Sequence, residues 1–363
     1  MTPLLMTPGP TRVPDRVLAA GAMPMVHHRS EDFSGLLTSA VGRLRPLFGT
    51  RGDVLPVHST GRGALEAAIT NLFSPGDELV AVCNGRFGEM WAEIAERFGV
   101  VAHRCCADWS VPARVPEVEA ALDAHPRSRA VILAHSDTST GALNDVAAIA
   151  GVARRAGALV MVDAVSSLGG APFRFEEWDV DLAVTASQKC LMSSPGLAFV
   201  AIGERAWEAQ KTARLPRSYF EFAAIRKSLA RARPETPGTT PVHLVAQVKA
   251  ALEQIEEEGL ERVYDRHEKM ARMTRSAVTE LGMSLQCPDL ERLSPTLTAI
   301  RAPKNISPAV IRDQMRSRGI LVARGLGRFE PTCFRIGHMG DIRPADVRRT
   351  LDALGDIVAT GAR

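Results

Sequence analysis

The sequence predicts an α/β chain: a mainly parallel sheet wrapped by helices, followed by a smaller α+β domain. Two observations carry this. Across the first two-thirds, short β-rich apolar runs alternate with helical patterns, the spacing of a parallel sheet with crossover helices. The runs are also apolar without alternation, as strands covered on both faces are. Asp77–Val82 reads as a strand, followed by a helix over Met90–Phe98. Ala130–Ala134 reads as the next strand, followed by a helix over Asp145–Ala156. Ala158–Val162 and Val180–Thr185, rich in β-branched residues, complete the series. From Pro241 to about Leu281 the pattern becomes long and helical, with Leu244, Val248, Ala251 and Ile255 on one face and a break at Gly259. Beyond Cys287-Pro288, strands over Thr296–Ile300 and Ile320–Ala323 flank a helix over Pro308–Arg318. The expected organisation is an N-terminal arm (1–20), a large domain (21–255) and a small C-terminal domain (256–363), in keeping with a length of 363 residues.

Composition narrows the function. A net charge of +3 leaves no excess for a broad nucleic-acid surface. No run approaches the ~20 apolar residues of a membrane span, and Met1–Pro10, broken by three prolines, is not a signal peptide. The six cysteines lack metal-ligand spacing and read as buried thiols in a reducing cytosol, so no metal and a cytoplasmic location are expected. Only six of the 44 basic residues are lysines, and the first 188 residues contain none. Chemistry that needs an amine therefore has few candidates.

One lysine stands in an informative place. Lys189, in Ser187-Gln188-Lys189, lies just past the carboxyl end of an apolar strand, where ligands bind in open α/β sheets. Asp163 ends the run Val160-Met161-Val162 and stands at another strand's carboxyl end, a costly place for a carboxylate without a cation or donors. The couple fits either a structural ion pair or pyridoxal phosphate, whose aldehyde takes a lysine amine and whose ring nitrogen takes a carboxylate. A phosphate site is available at Ser59-Thr60-Gly61-Arg62-Gly63, directly before a strong helix start. As a dinucleotide fingerprint this turn fails, because Glu66 stands where the third glycine belongs.

With these residues in place, the chain resembles the class V, fold-type I pyridoxal-phosphate-dependent aminotransferases of the alanine/serine–glyoxylate group. The resemblance runs through Thr7-Pro8-Gly9-Pro10-Thr11, Ser59–Glu66, Asn84-Gly85-Arg86-Phe87-Gly88 and His135–Gly141. It continues through Val162–Ser167, Ser187-Gln188-Lys189, Thr239-Thr240-Pro241 and Phe334–Gly340. It implies the PLP-transferase fold of type I, with a seven-stranded-type sheet. It also implies that Lys189 is the Schiff-base lysine and Asp163 the partner of the ring nitrogen. Thr60, Gly61, Arg62 and Gln188 would surround the phosphate, and Thr138 would bond the ring's phenolic edge. Val165 would pack on one ring face and Phe87 stack on the other. Arg335 would bind the substrate α-carboxylate, and backbone at Gly9 would line its pocket. Thr239 would reach the phosphate of a neighbouring subunit's cofactor, implying a homodimer with sites at the interface.

Four positions depart from the family pattern. Phe87 stands where many relatives have tryptophan, and Arg62 where histidine or a smaller residue is frequent. Thr236 stands where some relatives have a tyrosine, and Asp137 replaces a glutamate. The implied activity is a ping-pong transamination between a small amino acid (alanine, serine or aspartate type) and glyoxylate or pyruvate. A special donor, ureidoglycine or pyridoxamine, is the alternative. A cysteine desulfurase would need a mobile thiol, whereas Cys190 and Cys333 sit outside any glycine-rich loop.

Overall fold

A computed structural model describes residues 3–360. Its central sheet has seven strands, in the spatial order 53–57, 198–202, 182–186, 159–163, 128–134, 78–82 and 101–105. All run parallel except Ala198–Ile202, which is antiparallel to both neighbours. The absence of alternation in the strand sequences now has a structural reason. Val80, Val131, Val160 and Ala183 face one apolar core, while Ala81, Ile132, Met161 and Val184 face a second on the other side of the sheet. Helices cover both faces, so the middle of each central strand is apolar whichever way its residues point.

Most predicted elements lie within two residues of their expected limits, and the exceptions are instructive. The helix expected at Met90 begins at Arg86, because the backbone N–H of Phe87 donates to Asp137 Oδ2 (2.8 Å) and fixes the first turn. The predicted break at Gly259 (φ +85°) separates helices Val242–Glu258 and Leu260–Glu280. Asp145 caps Val146–Arg155 by accepting from Ala148 N–H at 3.0 Å. Strand Val101–Cys105 is not evident in the sequence because it is a half-exposed edge strand carrying His103 and Arg104.

The smaller, five-stranded sheet joins both ends of the chain. Leu4–Met6 pairs in parallel with Ile320–Val322, beside the antiparallel strands Cys333–Gly337, Leu297–Arg301 and Ser284–Leu285. Met6, Phe334, Ile336, Met315 and Leu354 form its core. The segment after Leu4–Met6 crosses to the large sheet, where Thr11 N–H donates to Gln188 O at 3.1 Å. The carboxyl ends of strands 53–57, 78–82, 159–163 and 182–186 lead directly into the loops that line the site below.

Candidate active site

Four loops, each leaving the carboxyl end of a parallel strand of the large sheet, converge with the arm segment Gly9-Pro10 on a cleft of about 430 Å³. Gly9, Thr60, Gly61, Arg62, Phe87, Asp163, Val165, Gln188 and Lys189 line it, together with Pro10, Leu65, Met90 and Pro195. The last four were missed by sequence reasoning. Leu65 and Met90 were within reach: each falls one helical turn after a predicted site residue, Gly61 and Phe87.

The Lys189 ammonium donates to the Pro8 carbonyl at 2.5 Å. Burial, with Arg335 as a second cation, pulls its pKa down to about 8. Thr11 Oγ1 donates to the Lys189 carbonyl at 3.0 Å and fixes the backbone from the other side. Gly9 passes so close, with φ +106°, that a Cβ there would lie 2.5 Å from Lys189 Cδ and Nζ. Asp163, at the end of the neighbouring strand, is buried and accepts from Val165 N–H at 2.9 Å. Desolvation pushes its carboxyl up to about 6, and the distant Lys189 offsets this only as the weakest influence. The structural Asp–Lys ion pair that the sequence left open is therefore not formed. Asp163 is a buried carboxylate awaiting a cation.

The phosphate end has the complementary deficiency. Helix Gly61–Leu72 starts at the cleft, and its N-cap residue Thr60 makes no side-chain cap, so the first-turn N–H groups remain available to an anion. Gln188 Oε1 and Thr138 Oγ1 are buried without partners. A Cβ on Gly61 would meet Val165 at 2.7 Å, so only glycine lets the helix start this near Val165. Taken together, these residues fit pyridoxal phosphate: an amine, an unpaired carboxylate, a bare helix terminus and an apolar side chain on the floor.

Three predicted residues lie outside the cleft lining. Arg335, only 7% exposed, is held by its Nε on Arg324 O (2.8 Å) and Nη1 on Thr138 O (3.0 Å). Burial lowers its pKa to about 10, and no ion pair compensates it among the described residues. The Thr138 backbone is thus the support of Arg335. Thr239 is exposed and apart from this chain's own cleft. Of the departures, Asp137 has a visible task. Its Oδ1 accepts from Ser139 N–H (2.9 Å) and Oγ (2.6 Å), while Oδ2 holds Phe87. Gly85 leaves it room, since a Cβ there would lie 2.1 Å from the Asp137 carboxyl carbon. Thr236 bonds locally, to Gly238 O at 2.8 Å and to Thr240. Neither thiol near the site is a nucleophile. Cys190 Sγ points to Ser166 O, with its pKa pushed up to about 12 by burial, and Cys333 Sγ donates to Gln286 Oε1 at 3.2 Å.

Comparison with known proteins agrees with this geometry. Residues 5–345 match the family model for aminotransferase class-V. The chain is 39% identical over 360 residues to the soluble hydrogenase small subunit of Synechococcus sp., covering 98% of this chain and 93% of the relative. It is 38% identical over 348 residues to L-aspartate–glyoxylate aminotransferase of Paracoccus denitrificans, covering 94% and 87%. Its fold superposes on the alanine–glyoxylate aminotransferase of Nostoc sp. with a TM-score of 0.94 at 30% identity, covering 99% and 96%. The chain belongs to the class-V aminotransferase family.

Proposed function

We propose that the protein is a pyridoxal-phosphate-dependent transaminase that moves the amino group of a small amino acid to glyoxylate or pyruvate. One observation carries the reading: a single cleft gathers Lys189, the unpaired buried Asp163 and the open N-terminus of helix Gly61–Leu72. When bound, the cofactor supplies an electron sink for the pair left behind as the substrate α-proton departs. The residues of the chain divide the remaining tasks. Lys189 holds the cofactor and, once released, carries the proton through its Nζ. An amine with a pKa near 8 is free at pH 7.5 roughly two-hundred-fold more often than one at 10.5. Asp163 keeps a positive ring nitrogen in place, and that charge returns its carboxyl to the ionised form. Thr60, Gly61, Arg62 and Gln188 take the phosphate, and Thr138 Oγ1 takes the phenolic oxygen. Phe87 and Val165 hold the ring between them. Arg335 presents its planar fork to the α-carboxylate of donor and acceptor in turn.

The rest of the assignment goes with this reading. The arm (1–20), large domain (21–255) and small domain (256–363) are supported by the helix break at Gly259, with the arm's strand joining the small sheet. The exposed Thr239, away from its own cleft, suits a homodimer in which it serves the neighbouring site. Six free cysteines suit a cytoplasmic location.

The donor is identified by adding alanine, serine, aspartate, ureidoglycine or pyridoxamine singly to the cofactor-loaded protein and following the cofactor absorbance. At least one amino acid should discharge the band, and glyoxylate or pyruvate should restore it. Lys189→Ala should lose both the band and turnover. A silent panel, or normal turnover by Lys189→Ala, overturns the proposal.

A further inference from the structure

We propose a divalent-metal site, separate from the cleft, formed by Glu78, His103 and His125. Glu78 opens strand Glu78–Val82, His103 is the middle residue of edge strand Val101–Cys105, and His125 follows helix Val115–Ala124. The parallel register pairs Val80 with His103, so Glu78 and His103 project from the same face of the sheet. One oxygen of Glu78 and one ring nitrogen of each histidine all lie within 4.8 Å of one another. His103 Nε2 stands 2.9 Å from Glu78 Oε2, and the His125 ring stacks on His103 at 3.5 Å with 6° between planes.

These three elements come together only in the folded chain, which is why no ligand spacing is visible in the sequence. A tetrahedral metal with bonds of about 2.0–2.2 Å holds neighbouring ligand atoms about 3.3 Å apart. The His103–Glu78 pair, at 2.9 Å, must open slightly, and the parallel His103 and His125 rings must turn out of their stack by side-chain rotation, because each lone pair lies in its own ring plane. The metal takes the place of the hydrogen bond between His103 Nε2 and Glu78 Oε2, with neutral His103 carrying its ring proton on Nδ1. Arg127 pairs with the other oxygen, Glu78 Oε1, and so orients the carboxylate as outer-shell donors do for ligating carboxylates, with Oε2 facing His103. Two imidazoles, one carboxylate and a fourth position open to solvent make a donor set for Zn²⁺, with Ni²⁺ and Cu²⁺ as competitors. The bound metal clips the edge strand to the end of helix Val115–Ala124. The site starts from the amino end of strand Glu78–Val82, whereas the cleft uses the loop at that strand's carboxyl end.

The test uses the full-length, cofactor-loaded protein, stripped with a chelator and titrated with Zn²⁺ by calorimetry. Wild type should bind one equivalent and melt at a higher temperature when it is bound. His125→Ala, at a helix end and outside the cleft, should weaken that equivalent roughly a hundred-fold with transamination unchanged, and Glu78→Gln should weaken it as well. Either of two results overturns the proposal: no micromolar equivalent in wild type, or equal binding by wild type and His125→Ala. The second would assign the metal to other groups, such as the adjacent His27 and His28.

Discussion

Replacing Arg335 by glutamine tests the substrate half of the site most sharply. The guanidinium has five N–H donors, and two are committed to the carbonyls of Arg324 and Thr138. Those two bonds fix its plane and leave a pair of donors for a carboxylate. Each charge-assisted bond in a buried site contributes about 1.5–3 kcal/mol, so losing two raises the barrier by about 3–6 kcal/mol. At about 1.4 kcal/mol per decade, kcat/KM for every amino-acid donor should fall by roughly 10²–10⁴-fold. The assay is the single-turnover half-reaction, which reads the amino acid alone. Cofactor loading should be retained, while the loss of a neighbouring cation lets the Lys189 pKa rise. A carboxylate-free primary amine should react almost equally with both proteins. A loss below about ten-fold for amino acids, or an equal loss for the carboxylate-free amine, refutes this assignment.

Three further substitutions probe the cofactor half. In Asp163→Asn the apo protein should gain stability while transamination falls. The folded carboxyl titrates near 6 rather than 3.8, so it favours the folded state below pH 3.8 and loses that benefit as pH rises through 6. At pH 8 the deficit is about 3 kcal/mol, and urea unfolding of apo Asp163→Asn at that pH should show a higher midpoint than wild type; a lower one contradicts the burial argument. Gly9→Ala places a methyl group 2.5 Å from Lys189 Nζ, at a backbone angle alanine rarely adopts. Cofactor loading should drop sharply with circular dichroism unchanged, and full loading would show that the arm gives way. In Arg62→Gln, the loss of one charged phosphate contact should weaken cofactor retention about ten-fold or more, with the ranking of donors preserved. A loss confined to aspartate would instead place Arg62 on the substrate's second carboxylate.

The parts of the site legible in the sequence are those written within a few residues. Asp163 ends an unbroken apolar run and Lys189 lies just past a largely apolar strand, so their strand-end positions can be read locally, and Thr60–Arg62 precede an evident helix start. Arg335 and Thr138 carry no such signal. They are 197 residues apart, and their contact depends on how the small sheet closes over the large one. Motif order alone brought them together in the sequence reading. The Glu78–His103–His125 group was invisible for a related reason. Its edge strand, Val-Ala-His-Arg-Cys, is half exposed and lacks the apolar run by which buried strands are recognised. The same limit hid Leu4–Met6, too short and too near prolines to read as a strand until its partner Ile320–Val322 is known.

Asp163, Lys189 and Arg335 have one physical cause in common. Burial raises the aspartate to about 6, lowers the lysine to about 8 and lowers the arginine to about 10, so each is held away from its favoured charge. A fold selected only for stability would pair Asp163 with Lys189. Here the lysine is turned to the Pro8 carbonyl and the aspartate is left with a single backbone donor. Under the proposed function, the unpaired arrangement is unfavourable in the empty protein and favourable once each group meets its complement: a ring cation for Asp163, an aldehyde for the amine, a carboxylate for Arg335. Ligand binding therefore recovers electrostatic energy that folding left unsatisfied, and a ligand that binds only the folded chain stabilises it by mass action. The sequence placed Lys189 and Asp163 at neighbouring strand ends without revealing whether they met. Their separation is what turns a possible structural ion pair into a site for a third group.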